Sequence, residues 1–405
     1  MVSATQTLTG RQVQIAVGIS VAIFVAVVLV NALDRSTRIR DFACFYAAAR
    51  IVNEGEGARL YDLQKQTEVE KALFHWGRPL VLEHPPFEAW LFAPLAPLPY
   101  TVAYTMWGML NIALWVFFVY LVRPYDMIPR NPFQYLFLCF LFFPVWVALM
   151  QGQTSILLLV LLSSAFICLK RRREGWAGVL VGLGLFKFAV AVPLALIFLL
   201  RGKWRLIAGF GGAAIMLGVV SLLTVGPVGI LSYVNLLLDM MRRPNYYPRY
   251  GTEVWMMPNL RGFFHVTLAP LFPGSTINGV VVLVSVFLIG YVAWRWRGQG
   301  AGEGPSLDLM FAAALVISQV TAYHLMIHDL SPTLLAVLLT LGSARYPEGS
   351  AWRPMRTFAI AALYVFPLCL PRWALTPVLV VLAWAAMAGS ALPLEGGEPR
   401  LAPDR

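Results

Sequence analysis

Charge is what this chain has least of. Only 13% of its 405 residues are Asp, Glu, Lys or Arg, while 59% are hydrophobic and the mean hydropathy is +0.71. A soluble domain carries about 25% charged residues, so the composition excludes a soluble protein and indicates a polytopic membrane protein. Cysteine is also scarce. Cys44, Cys139, Cys168 and Cys369 are scattered without metal-ligand spacing and read as small core residues. No sequence repeat is visible, which argues against an inverted-repeat transporter. No stretch is left over for a soluble domain of useful size. The net charge of +11 does not indicate nucleic acid, because most of the clustered Lys and Arg flank apolar runs and set topology there.

What is present is a succession of apolar runs of about 20 residues, the length of a transmembrane helix, so the expected fold is all-α rather than a barrel. The first, 12–33, follows Arg11, is too long for a signal-peptide core and precedes no clear Ala-x-Ala site. It reads as a retained span. Basic clusters lie at Lys170-Arg171-Arg172-Arg173, at Arg201, Lys203 and Arg205, at Arg295 and Arg297, and at Arg345, Arg353 and Arg356. All sit in short connections, and placing them together in the cytoplasm requires an even number of crossings between neighbours. Residues 175–200 must then double back as two short spans, 175–186 and 189–200, turning near Lys187. The other spans are 12–33, 100–122, 132–150, 153–170, 204–225, 278–296, 306–323, 328–343, 356–370 and 372–392. About twelve crossings result, with both termini cytoplasmic. Residues 1–395 form one membrane domain, followed by a cytoplasmic tail at 396–405.

Two long loops, 34–99 and 226–277, fall on the outer side. In the first, 42–53 and 62–75 mix apolar and charged residues and are expected as amphipathic helices in the interface plane. Pro85-Pro86 precedes an apolar stretch, 87–98, that is too short to span and reads as a re-entrant or interfacial helix.

Ionisable residues in or beside spans are functional candidates, because a charge near lipid is costly to bury. The expected topology gathers Asp41, His84, Gln151, Gln153, Lys187, Arg249, Glu253, Arg261, His324, His328 and Asp329 at the outer surface. Asp41 is placed to deprotonate a hydroxyl; the alternative is a helix N-cap. Lys187, flanked by apolar residues, needs an anion such as a lipid phosphate, or else snorkels to the interface. His324 and His328, at i and i+4, would share one helical face. They suit hydrogen bonding or proton donation to a leaving phosphate better than zinc, since no clear third ligand and no zinc-hydrolase glutamate accompany them. A helix end capped by Asp329 is the structural alternative. Gln151-Gly152-Gln153 either bonds sugar hydroxyls or merely joins two helices. The second loop sets Tyr246, Tyr247 and Tyr250 beside Arg249, with Asn259 and Arg261 beyond. That mixture suits carbohydrate stacking and phosphate pairing, while an interfacial aromatic belt accounts for much of the Trp and Tyr content.

The segments, in order, resemble the integral-membrane C-type glycosyltransferases (GT-C), most closely glycosyltransferase family 87, which includes polyprenyl-phosphate-mannose-dependent mannosyltransferases. The resemblance runs through Asp41-Phe42-x-x-Phe45-Tyr46-x-Ala48-Ala49, Leu60-Tyr61-Asp62 and His84-Pro85-Pro86. It continues with Ala93-Pro94-Leu95-Ala96-x-Leu98-Pro99, Gly152-Gln153-x-Ser155, Lys187 with Pro193, and His328-Asp329-Leu330. It implies the GT-C fold and a catalytic base in the first outer loop, which maps onto Asp41. It also implies inverting transfer from a β-linked lipid-phosphate sugar to an α-linked product. The leaving group is already an anionic phosphate, so the site needs cations rather than a second acid. Lys187, His324, His328, Arg249 and Arg261 are the candidates for holding that phosphate. Tyr46, His84, Gln151, Gln153, Asn259 and Asp329 are the remaining substrate candidates. Where relatives often show Asn-x-Ser, this chain reads Asn259-Leu260-Arg261, a departure that affects acceptor contacts.

The expected partners are a polyprenyl-phosphate sugar donor, a glycolipid or glycan acceptor and membrane lipids, with no nucleic acid, no metal and no cofactor. The expected location is the bacterial inner membrane with the site outside, where cytosolic nucleotide sugars are absent and a lipid-linked donor fits. Mannose is the favoured sugar. A glucosyl- or arabinofuranosyltransferase of the same fold is the first alternative, and a transporter or lipid flippase the second.

Overall fold

The computed structural model describes residues 10–33, 41–74, 80–125, 132–242, 254–297 and 305–390. Among the described residues every regular element is helical. In chain order the α-helices are α1 (Gly10–Leu33), α2 (Asp41–Asn53), α3 (Leu63–Phe74), α4 (Ala89–Phe92), α5 (Tyr100–Val122) and α6 (Pro132–Leu141). Then come α7 (Phe143–Gln151), α8 (Ser155–Lys170), α9 (Glu174–Leu183), α10 (Phe188–Leu200), α11 (Trp204–Arg242) and α12 (Leu260–Leu268). The last are α13 (Gly274–Arg297), α14 (Pro305–Val320), α15 (Thr333–Ser343), α16 (Trp352–Cys369) and α17 (Leu375–Gly389). Six segments are long and apolar enough to cross a membrane: Gln14–Leu33, Tyr100–Val122, Glu174–Leu200, Trp204–Met240, Gly274–Arg297 and Arg372–Gly389. The chain is an all-helical membrane protein.

The third of these segments is not one rod. A 3-10 turn, Gly184–Lys187, parts α9 from α10, and Lys203 just beyond α10 bonds Glu174 at the start of α9 (Nζ to Oε1, 2.5 Å). A straight helix of that length would hold its ends about 40 Å apart. The segment therefore doubles back at Lys187, as the charge distribution requires. α11 then runs parallel to α9, and the two backbones touch through glycines. A Cβ on Gly178 would stand 1.9 Å from the Leu206 carbonyl oxygen, and one on Gly209 would stand 2.1 Å from that of Gly175. Small residues permit this approach, which in lipid replaces the hydrophobic drive available in water.

The basic clusters meet at one end of the bundle. Lys170 at the end of α8 bonds Asp308 near the start of α14 (2.6 Å), and Ser343 at the end of α15 bonds the same carboxylate (2.8 Å). Arg201 lies 3.9 Å over the Trp296 ring, and Arg297 donates to the Leu200 carbonyl. Between the two ends, α14 and α15 are apolar all round and buried, Leu309 to Ile317 and Leu334 to Leu339 being almost completely inaccessible. A helix hydrophobic on every face belongs at the centre.

Three local features depart from expectation. α2 begins and ends close to where its composition predicts, but it does not lie with one face bare. Residues 42–49 are buried consecutively, because Ala43, Ala47, Ala48 and Ala49 let neighbours approach all round. Gly226 (φ 66°) breaks the helix begun at Trp204 at its expected end, and Pro227 then opens a second helical stretch to Arg242 where a loop was expected. The run 132–150 is broken at Phe142, and Pro144 lies in the first turn of α7.

Gly178→Leu or Gly209→Leu should separate α9 from α11 and destabilise the protein by about 2 kcal/mol or more. Gly212→Ala, where an added Cβ meets nothing within 4 Å, should leave the thermal unfolding midpoint of the detergent-purified protein unchanged. Equal midpoints for all three variants would contradict the close contact.

Candidate functional site

At the end opposite the basic clusters, four connections converge on one buried network. Asp41 stands at the first residue of α2. Gly152, in the left-handed conformation (φ 66°), ends α7 and aims Gln151 and Gln153 back toward α2. No side chain fits there, since a Cβ would sit 2.7 Å from that of Phe42. Trp107 and Tyr104 on α5 fix the turn by donating to the carbonyls of Gly152 and Met150, each at 2.8 Å. The α9–α10 turn supplies Lys187, and the connection between α14 and α15 supplies His328 and Asp329.

Gln153 joins the base candidate to the cation candidate. Its Nε2 donates to Asp41 Oδ2 at 2.7 Å, while its Oε1 accepts from Lys187 Nζ at 2.9 Å. Lys187 Nζ in turn lies 2.9 Å from Asp329 Oδ1, the two side chains being only 10% and 7% exposed. Asp329 also accepts from Ser155 Oγ (3.1 Å) and from the Met326 amide (3.0 Å), and His328 Nε2 lies 3.4 Å away. Gln319 holds the Asp329 carbonyl at 2.9 Å and is itself held by Thr333 at 2.7 Å. Every atom of this chain that orients the ammonium is therefore itself oriented, the arrangement that a preorganised electrostatic site needs. An ammonium has three N–H donors. Gln153 and Asp329 engage two of them.

The other predicted residues divide. Gln151 Oε1 lies 3.4 Å from the Asp41 amide, at the long limit for such a bond. His84 and His324 border the network through two glutamates, Glu88 at 2.6 Å and Glu83 at 3.4 Å respectively. His324 and His328 do not share a helical face. The backbone bends at 323–324 and is extended at Met326 before the 3-10 turn Ile327–Leu330, so the two rings take separate partners. Tyr46 is buried and its hydroxyl donates to Leu98 O at 2.6 Å, tying α2 to the 93–98 segment. Asn259, fully buried, caps α12 through Gly262 N and donates to Ala322 O, both at 2.8 Å. Arg261 stacks 4.3 Å over the Tyr323 ring, so this pair braces the segment that leads to Asp329. Arg249 lies outside the described residues.

Cys44, near Asp41 on α2, is not a nucleophile. Burial first, then the Glu70 and Asp41 carboxylates, push its thiol well above the usual range and keep it neutral. Beside the network, an apolar groove of about 310 Å³ is lined by Pro85, Phe87, Leu185, Phe188, Leu217 and Tyr233 among others. Leu185 and Phe188 flank Lys187 in the chain, so the turn that carries the ammonium also lines the groove.

This all-helical membrane protein thus carries a buried acid–amide–cation network at one bundle end, with an apolar groove lined in part by residues of the neighbouring turns. Residues 83–327, well over half of the chain, match the family model of glycosyltransferase family 87. The chain belongs to that family and is a glycosyltransferase. No curated protein and no solved structure matches it.

Lys187→Met should leave Asp329 buried without its counter-ion, at a cost of about 3–5 kcal/mol. Adding Asp329→Asn should recover part of that stability while restoring no transfer activity. Both are read from chemical unfolding in detergent together with a transfer assay. A double variant no more stable than Lys187→Met alone would contradict the pairing.

Proposed function

We propose that this glycosyltransferase moves a hexose, mannose foremost, from a polyprenyl-phosphate donor to a lipid or glycan acceptor, at the extracytoplasmic face of a bacterial inner membrane. The observation that carries the reading is the bridge from Asp41 through Gln153 to Lys187, 2.7 and 2.9 Å. It sets a carboxylate and an ammonium at opposite ends of one amide. The sugar ring belongs alongside that amide, its acceptor side toward Asp41 and its phosphate toward Lys187.

In the transfer, the acceptor hydroxyl oxygen bonds to the anomeric carbon as the bond from that carbon to the phosphate oxygen breaks. The hydroxyl proton passes to Asp41, and the electron pair leaves with the polyprenyl phosphate. Lys187 offers its third N–H to the charge accumulating on that phosphate, with His328 at hand beside Asp329. The apolar groove lined in part by Leu185 and Phe188 suits the first isoprenoid units of a donor whose phosphate reaches Lys187. The twelve-span topology belongs to the same reading. It is supported by the meeting of the basic clusters at the end away from the site, where the positive-inside rule puts the cytoplasm.

The test is transfer by the purified full-length protein in lipid nanodiscs. The substrates are radiolabelled polyprenyl-phosphate mannose, glucose or arabinofuranose together with bacterial membrane lipids. Wild type should label a lipid or glycan from the mannose donor, and Asp41→Asn should lose about a thousandfold in kcat. Unchanged transfer in Asp41→Asn would overturn the assignment of the base.

A further inference from the structure

One buried carboxylate beside the site has no part in the reaction as described. Glu88 is 1% exposed, at the end of the 3-10 turn Pro86–Glu88. It is close enough to Lys187 to act on its charge. Its two oxygens are held by different elements. Oε1 accepts from Thr154 Oγ1 at 3.2 Å, and Oε2 lies 2.6 Å from His84 Nδ1. Thr154 sits between Gln153 and Ser155, the residues that bond Asp41, Lys187 and Asp329. The His84 ring is wedged as well: Phe45 packs edge-on at 4.8 Å between centroids, and Tyr61 bonds the His84 carbonyl at 2.7 Å.

We propose that Glu88 is a positioning residue that acts through His84. It pins the imidazole with Nδ1–H on the carboxylate, so that Nε2, with its lone pair, is the nitrogen offered to a hydroxyl of the bound sugar. In this arrangement the carboxylate accepts and Nδ1 donates across the 2.6 Å contact. Free histidine places its proton on either nitrogen, and the partner of one ring nitrogen decides the state of the other. The bond from Thr154 makes the arrangement specific to this site, because the same carboxylate that sets the ring also touches the turn carrying Gln153. Ring orientation and the Asp41–Lys187 bridge are thus set from one point. His84 is the group that meets substrate, and this last step rests on the lipid-phosphate sugar reading above.

Two arms test the proposal. The chain has five histidines, so ¹⁵N-histidine NMR of the full-length protein in nanodiscs, assigned with His84→Gln, reads the ring directly and needs no substrate. Wild type should show His84 protonated at Nδ1. Glu88→Gln, which keeps size and hydrogen bonding but removes the charge, should lose that preference. An unchanged His84 signal in Glu88→Gln would overturn the pinning. In the transfer assay Glu88→Gln should lower kcat about 10- to 100-fold, and in a His84→Gln background it should lower it no further. Loss that adds fully in the double variant would mean that Glu88 acts by supporting the fold, not through His84. If wild type transfers no sugar from any lipid-phosphate donor, the proposed function fails while the NMR arm still decides the pinning.

Discussion

A single buried ammonium organises this protein. Lys187 sits in an apolar turn, and in such surroundings a lone charge costs several kcal/mol unless oppositely charged and hydrogen-bonding partners meet it. Those partners come from two other connections, Gln153 before α8 and Asp329 before α15. Because each of these is in turn fixed by its own bonds, to Asp41, Ser155 and the Met326 amide, the charge pins four chain crossings to one another. The network is the bundle's own solution to burying Lys187.

That solution needs the elements to arrive in register, and the far end of the bundle sees to it. α8 has Ser155 at one end and Lys170 at the other, about 22 Å apart along the helix. Both ends are tied to the connections around α14 and α15, through Asp329 at the site and through Asp308 and Ser343 at the basic end. A helix fixed at both ends cannot slide by a turn without breaking a buried polar contact. The glycine contact between α9 and α11 does the same for Lys187, because the two helices approach so closely that neither can rotate. Longitudinal register in this protein is therefore set by polar pairs at the ends and by small residues along the sides, while the apolar packing between them supplies cohesion.

Much of the fold was legible because charge is so rare here. Four basic clusters in short connections were enough to require the reversal at Lys187, and the Glu174–Lys203 pair agrees with it. Helix ends marked by special residues were legible too, as at the Gly152 turn. The burial of α2 was not, since alanines mixed with Phe and Arg look the same whether the helix faces lipid, water or protein. The helical stretch after Gly226 was hidden because Gly-Pro marks the end of one helix without saying that another begins at once. In the site, residue type pointed to Asp41, Lys187 and Asp329 but did not say which would pair. Glu88 and Glu83 were not singled out at all. Their role depends on contacts across the fold, and the one local signal was the spacing of Glu88 four residues after His84.

The family match begins at residue 83, so Asp41 lies outside it while Gln153, Lys187 and His84 lie inside. The base candidate is thus carried by a separate stretch of chain and meets the matched region at the Gln153 amide. The choice of linker has a chemical consequence. A carboxylate paired directly with an ammonium holds its charge firmly and accepts a proton less readily. A glutamine passes on position without placing a full positive charge against the oxygen it touches. Lys187 pairs directly with Asp329 instead. Two carboxylates near one lysine are thus held differently, Asp329 directly against the ammonium and Asp41 through Gln153.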